Sequence, residues 1–235
     1  RFFMNAPQAI IFDVDGTLAE TERDGHRPAF NQAFAEHGLS WRWDEELYGR
    51  LLDITGGKER IRHFAEIAAP EIAARPDFDE LVKKLHAAKT KYYVRLVEQG
   101  RLALRPGVAS LIAEARRAGI RLAIATTTSP ENVDALLRAS LAPESPGWFE
   151  VIGAGDVVPA KKPAPDIYLW VLARLGLPAS ACLAVEDSAN GLHSALAAGI
   201  PTVVTVGEYT AGQDFAGALR VLDNLQGQSL KAISS

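Results

Sequence analysis

The chain has 235 residues, 48% of them hydrophobic and 23% charged, with a formal net charge of −4. That is an ordinary balance for a globular protein of one large domain, or of one domain carrying an insert. The negative charge and the lack of a long Lys/Arg run exclude nucleic acid as the main partner, and no apolar stretch is long enough to span a bilayer as a helix. The single cysteine, Cys182, excludes an intramolecular disulfide and reads as a buried structural thiol.

The Arg1-Phe2-Phe3 start ahead of Met4 reads as a truncation scar without a signal-peptide pattern, so a cytoplasmic protein is expected. Ala9 to Phe12 form a short apolar run that ends in Asp13-Val14-Asp15-Gly16-Thr17. Such a run bounded by a glycine turn predicts a buried strand with two carboxylates at its C-terminal end. Continued extended geometry would point Asp13 and Asp15 the same way. Packed carboxylates repel and are costly to desolvate, which calls for a hard cation such as magnesium. A solvated strand end with an Asp-Gly turn is the alternative.

Residues 27–37, 44–53, 58–68 and 78–99 then carry apolar positions at helical spacing, with no strand-like alternation. Leu104-Arg105-Pro106-Gly107 punctuates the chain, with Pro106 placed to open the next helix. Beyond it helix and strand alternate. Helix 108–118 ends at Gly119, strand 121–127 follows, then helix 132–139 and strand 149–153. Helix 166–175 closes at Gly176, strand 182–185 follows, Ser188 caps a helix, and 201–206 gives a fifth strand. Residues 226–235 read as a frayed tail. The pattern predicts an α/β fold: a doubly wound, Rossmann-like parallel sheet with a small all-helical domain inserted after the first strand. The divisions are 1–19 (core), 20–103 (helical insert) and 104–235 (remaining core).

In such a sheet the strand C-termini share one edge. Asp13 and Asp15, Thr126-Thr127-Thr128, Lys161-Lys162-Pro163 and Glu186-Asp187 would then converge. Carboxylates to hold magnesium, a lysine to neutralise phosphate oxygens and a hydroxyl to donate to them suit phosphoryl transfer.

Asp13-x-Asp15-Gly16-Thr17, Thr126 after an apolar strand, Lys162-Pro163 and Glu186-Asp187 resemble the four motifs of the haloacid dehalogenase superfamily of phosphatases and mutases. The resemblance runs from Ala9 to about Val206. It implies that Asp13 is the nucleophile and forms an aspartyl-phosphate. Asp15 would protonate the leaving oxygen and then activate water, which argues against a halide-displacing member. Thr126 and Lys162 would hold the phosphoryl group, with Lys161 a solvated neighbour. Magnesium would sit on Asp13, the Asp15 carbonyl and Asp187, with Glu186 on the ion or one contact behind it.

The helical insert resembles the small cap of the beta-phosphoglucomutase-like branch. Ala19-Glu20-Thr21-Glu22, Asp24-Gly25-His26-Arg27 and Thr55-Gly56-Gly57-Lys58-Glu59-Arg60 look closest to the CbbY-like phosphatases. Those are associated with carbon-fixation operons and chloroplasts, and remove a phosphate from xylulose 1,5-bisphosphate, an inhibitor of Rubisco. The likeness implies a monomer acting on a small phosphorylated sugar, in the cytoplasm or, in a plant or alga, the chloroplast stroma. Gly56 and Gly57 would expose N–H groups at a helix start, and Lys58 and Arg62, four apart, would complete a cradle for a distal phosphate. An exposed helix start balanced by Glu59 is the alternative. Glu20, Glu22, His26 and Arg27 are candidates for sugar hydroxyls or the hinge, and Thr127 and Thr128 for further substrate contacts. Five residues separate Glu20 from His26, one more than in the mutase, so the mutase histidine's helper role does not carry over. Trp41 and Trp43 read as cap core.

A phosphomutase and a phosphoglycolate phosphatase share these core residues and stand as alternatives. A dinucleotide-binding oxidoreductase does not fit, because strand one lacks a glycine fingerprint and Gly153-Ala154-Gly155 has Val158 where a third glycine is needed. A nucleotide loop at Gly57-Lys58 fails because Glu59 replaces Ser or Thr and Leu52 replaces the first glycine.

Overall fold

The computed structural model describes residues 6–235, and the Arg1-Phe2-Phe3-Met4 start lies outside them. Six strands, β1 (Ala9–Phe12), β2 (Arg121–Ala125), β3 (Phe149–Gly153), β4 (Cys182–Glu186), β5 (Thr202–Thr205) and β6 (Arg220–Leu222), form one sheet. The order is β3-β2-β1-β4-β5-β6 and every neighbouring pair is parallel, the doubly wound arrangement in which ligands bind beyond the strand C-termini.

Alternation along the central strands feeds two cores. Ile10 and Phe12, Leu122 and Ile124, and Leu183 and Val185 pack on one face with helices α6 (Val108–Arg117) and α7 (Pro130–Ser140). Ala9 and Ile11, Ala123 and Ala125, and Cys182 and Ala184 pack on the other with α8 (Asp166–Leu175), whose Ile167, Tyr168 and Val171 are bulky where the strand residues are small. Both faces are therefore dry, which is why β1 reads as a continuous apolar run. Ser188 caps α9 (Ala189–Ala197) by accepting from the Gly191 N–H at 3.1 Å, and Gly176 closes α8 in the left-handed region.

Between β1 and β2 lie α1 (Arg27–Glu36), α2 (Glu45–Leu51), α3 (Gly57–Ala68), α4 (Pro70–Ala73) and α5 (Phe78–Glu98). They have their own core of Phe30, Phe34, Trp43, Tyr48, Ile61, Val82 and Leu85. Trp43 is fully buried and Trp41 packs edge-on against Phe34 and Phe64, so both belong to that core. The two connections run side by side, joined by a bridge between Ala19 and Leu104. Beside it the buried Arg105 donates to the carbonyls of Gly16, Thr205, Val206 and Asp223.

Four expectations need correction. The strand before Thr126 stops at Ala125, so Thr126 and Thr127 lie in the loop that follows. Pro106 precedes α6 rather than opening it, because Gly107 takes φ +84° at the cap, where a Cβ would collide with the Leu225 carbonyl. The strand β6 went unread because three residues at a half-exposed sheet edge carry no alternation signal. Residues 226–235 are not frayed: Ser229 caps α10 (Leu230–Ser234), and Leu230 and Ile233 are buried in the first core.

Candidate active site

The sheet register brings the strand ends together. Phe12 is level with Ile124 and Val185, so Asp13 emerges beside Ala125 and Glu186. The Asp13 carboxylate accepts from Thr17 Oγ1 at 3.3 Å and from Lys162 Nζ at 2.8 Å. Lys162 also donates to Glu186 Oε1 at 2.6 Å and to the Ala125 carbonyl at 3.0 Å, using all three ammonium protons. The Tyr168 hydroxyl donates to the same Glu186 oxygen. Gly191 is required in the first turn of α9 because a Cβ there would overlap Glu186. Gly16, at φ +78°, lets the β1 loop pass against Asp187 in the same way.

Asp15 does not continue the strand, yet its carboxylate still reaches the cavity. Its Oδ1 accepts from Thr21 Oγ1 at 2.5 Å and lies 2.7 Å from His26 Nε2. The additional residue between Glu20 and His26 is absorbed by a π-helical turn, Glu22–His26, in which the His26 N–H reaches back to the Thr21 carbonyl. The longer interval, which set the mutase histidine's helper role aside, still leaves His26 against Asp15. His26 stacks on Tyr93 at 4.1 Å, and a buried ammonium, Lys89, lies over Phe30 and Tyr93.

Burial alone would raise the Asp15 carboxyl, but His26, Thr21 and Lys89 outweigh it and hold it at about 2. Burial raises Asp13 despite the pull of Lys162. Glu186 is pushed up to about 7 by burial, and Asp187 well above the usual range by burial and the charges of Asp13 and Glu186. Burial would lower Lys162, yet Asp13 and Glu186 raise it, so it stays charged. Lys89 is brought down to about 8 by burial, with Asp15 and Glu22 opposing.

The raised carboxylates mark a deficit of positive charge. Asp13, Glu186 and Asp187 each offer an oxygen within 4.8 Å of the others, Lys162 has no proton left for Asp187, and Glu186 Oε2 is buried without a hydrogen-bond partner. An all-oxygen set of this charge fits a hard divalent cation. Asp15, Glu22 and His26 form a second cluster of that spacing, but there Asp15 Oδ1 is already engaged by Thr21 and His26, and Lys89 lowers its pKa from nearby.

The carboxylates open into a cavity of about 290 Å³ whose lining includes Thr126, Thr127, Glu20, Glu22, Thr55 and Arg60. A narrow void of about 30 Å³ behind Asp15 is lined by Gly56, Gly57, Arg60, Lys89, Thr127 and Thr128 among others. Glu20 is half-exposed and pairs with Arg105 at 3.0 Å, which ties it to the hinge as well as to the cavity. Arg27 instead donates to the carbonyls of Arg23 and Trp43.

The expected cradle of Lys58 and Arg62 does not form. Lys58 pairs with Asp156 at 2.6 Å and Arg62 with Asp79 at 3.1 Å. The Glu59 carboxylate lies over Gly56 at the start of α3. At about 100° per residue, the stripe through 58 and 62 faces away from the direction taken by residue 60. Arg60 is the basic residue that reaches the cavity, held by the carbonyls of Leu51 and Ile54 and the Tyr48 hydroxyl. Lys161 is not a solvated neighbour either, since it donates to Asp156 at 2.8 Å and the Gly155 carbonyl at 2.6 Å. Arg60, Lys89 and Tyr168 were missed as site residues. The Thr55–Arg60 segment contained the signal for Arg60, whereas Lys89 and Tyr168 lie far from any motif's glycines or acids.

Residues 7–199 match the model of the haloacid dehalogenase-like hydrolases. The chain belongs to that family. This haloacid dehalogenase-like hydrolase is an enzyme, a phosphoric monoester hydrolase, and it is similar to the plasmid-borne protein CbbY of Cupriavidus necator. The two are 56% identical over 218 residues, covering 93% of this chain and 85% of that protein. Among solved structures, CbbY from Rhodobacter sphaeroides in complex with phosphate is 49% identical, covers 97% of this chain and 100% of its own, and superposes with a TM-score of 0.88. A mutant of the same CbbY, in complex with xylulose-(1,5)bisphosphate, is 48% identical with the same coverage and a TM-score of 0.88. Among the described residues of this hydrolase, no helix is long and apolar enough to cross a membrane.

Proposed function

We propose that the chain is a magnesium-dependent phosphatase that converts xylulose 1,5-bisphosphate to xylulose 5-phosphate and phosphate through an aspartyl-phosphate. The observation that carries this reading is the pair of aspartates in opposite surroundings, Asp13 on Lys162 and Asp15 on His26 and Thr21. The likeness to a CbbY crystallised with that bisphosphate supports the choice of sugar.

Asp13 attacks phosphorus as the sugar oxygen leaves, and Asp15, which takes a proton from solvent once the anionic phosphate ester sits beside it, passes that proton to the leaving oxygen. Asp15, ionised again, then takes a proton from the water that displaces Asp13 and frees phosphate. Its low pKa keeps it ionised for this second half, and both of its contacts fall on Oδ1, which leaves Oδ2 for the proton. Thr126 binds a phosphoryl oxygen, and Lys162 binds another by exchanging one of its present partners, Asp13, Glu186 or the Ala125 carbonyl, for it. Asp13, the Asp15 carbonyl and Asp187, with Glu186, would hold magnesium, which when bound neutralises charge on those oxygens. Arg60, with Lys89 and the N–H groups of Gly56 and Gly57, suits a distal phosphate, and Glu20, Glu22, Thr127 and Thr128 suit sugar hydroxyls or bridging water. Residues 20–103 would act as a cap that excludes bulk water over a core of 1–19 and 104–235.

The test is magnesium-dependent phosphate release from xylulose 1,5-bisphosphate, beta-glucose 1-phosphate and phosphoglycolate side by side. A strong preference for the bisphosphate is expected. Isomerisation of beta-glucose 1-phosphate to its 6-phosphate, with little release from the bisphosphate, would make the enzyme a mutase.

A further inference from the structure

Two lysines singled out by the sequence, Lys58 and Lys161, meet on one acid instead of on substrate. Asp156 sits in the loop between β3 and α8, the loop that also carries Lys162. Lys161 Nζ bonds the Gly155 carbonyl and Asp156 Oδ1, stapling that loop to itself. Lys58 Nζ, from the first turn of α3, bonds the other oxygen, Asp156 Oδ2, at 2.6 Å. Three residues earlier, Thr55 Oγ1 donates to the Lys162 carbonyl, and the Asp53 carbonyl accepts from Asn190 Nδ2 at 3.2 Å. One short segment of the insert thus grips the core at three places, two of them on the loop of the phosphoryl-binding lysine.

We propose that Thr55 and Lys58 form a clasp between insert and core, acting as positioning residues that seat the Lys162 loop only when the insert is closed. The chemistry suits a contact that must open at each turnover. Lys58 is 30% exposed and Asp156 63% exposed, so the pair is weak and screened by salt. When Lys58 withdraws, Lys161 stays on Asp156, so opening leaves no unpaired acid behind. Both lysines hold the Asp156 carboxyl at about 2, Lys161 more than Lys58. The clasp asks only that Lys162 bind a phosphoryl group and is independent of which sugar carries it.

The experiment is a double-mutant cycle of Lys58→Met and Asp156→Asn in the full chain, assayed on the sugar bisphosphate and on 4-nitrophenyl phosphate, which has no distal phosphate. Hydrogen exchange of residues 154–162 is followed in parallel. The clasp predicts that each single variant lowers kcat/KM for both esters by about two- to fivefold. The double variant is no worse than either single one, and the difference from wild type fades at high salt. Exchange in 154–162 quickens in both singles, a readout that stands even if the substrate assignment is wrong. Loss confined to the bisphosphate in Lys58→Met, with Asp156→Asn neutral or binding more tightly, would make Lys58 a phosphate ligand and overturn the clasp. Additive effects or unchanged exchange would overturn it equally.

Discussion

Asp13 and Asp15 are two residues apart and of one chemical type, yet their surroundings separate them. One is raised by burial beside Lys162, the other held down by His26 and Thr21. Asp13→Asn should cut kcat by on the order of 10³-fold or more while circular dichroism and the unfolding midpoint stay close to wild type. Normal turnover by that variant would remove Asp13 as nucleophile. A second residue-scale consequence concerns His86, which burial, Lys89 and Lys58 bring down to about 3 from 6.5. Unfolded, this imidazole takes up a proton below its ordinary value, whereas folded it stays neutral until far lower pH. Its contribution is therefore complete above 6.5 and lost as pH falls toward 3, at about 1.4 kcal/mol per pH unit. Urea unfolding at about pH 7.5 and about pH 5 should show His86→Gln losing less stability on acidification than wild type. The motif residues were legible because strand-end acids, hydroxyl and lysine are rare in that order. His86 and Lys89 were not, because a titratable residue on a helix gains its meaning from what another element places against it.

At the scale of elements, four of the five insert helices and five of the six strands follow from apolar spacing, and the helix ends at Gly119, Gly176 and Ser188 from glycine and serine positions, while the short α4 (Pro70–Ala73) does not. Two of the missed elements share one cause. Short segments at an edge or terminus, β6 and α10, owe their structure to the surface they dock on. Leu230 and Ile233 complete the core over α6. Ile233→Ala should cost about 2–4 kcal/mol in urea unfolding, where a frayed tail would cost nothing measurable. The π-helical turn belongs to this scale as well. One inserted residue is accommodated as a bulge so that His26 still meets Asp15, and counting residues between motifs could not show that.

For the whole molecule, the sheet edge collects more buried negative charge than Lys162 neutralises, so folding and cation binding should be coupled. Magnesium is expected to raise Tm, and EDTA to abolish phosphate release. Glu186 is pushed up to about 7 and Asp187 further, so protons compete with the metal below neutrality and the Tm gain should shrink at about pH 5. A gain that is equal at both pH values would mean the ion binds away from these carboxylates.

The sequence by itself determined the parallel α/β core, the helical insert and the identity of the residues at the strand ends. Hydrophobic period and turn chemistry are local properties, and a parallel sheet sends every strand's C-terminus to the same edge. Only the tertiary structure decided which basic residue of the insert faces the cavity, what His26 touches, and what Lys58 and Lys161 hold. Those depend on the rotation of a helix about its axis, on the local path of a π-helical turn and a loop, and, for Lys58 and Asp156, on a contact between residues 98 positions apart, and none of these follows from hydrophobic period or turn chemistry.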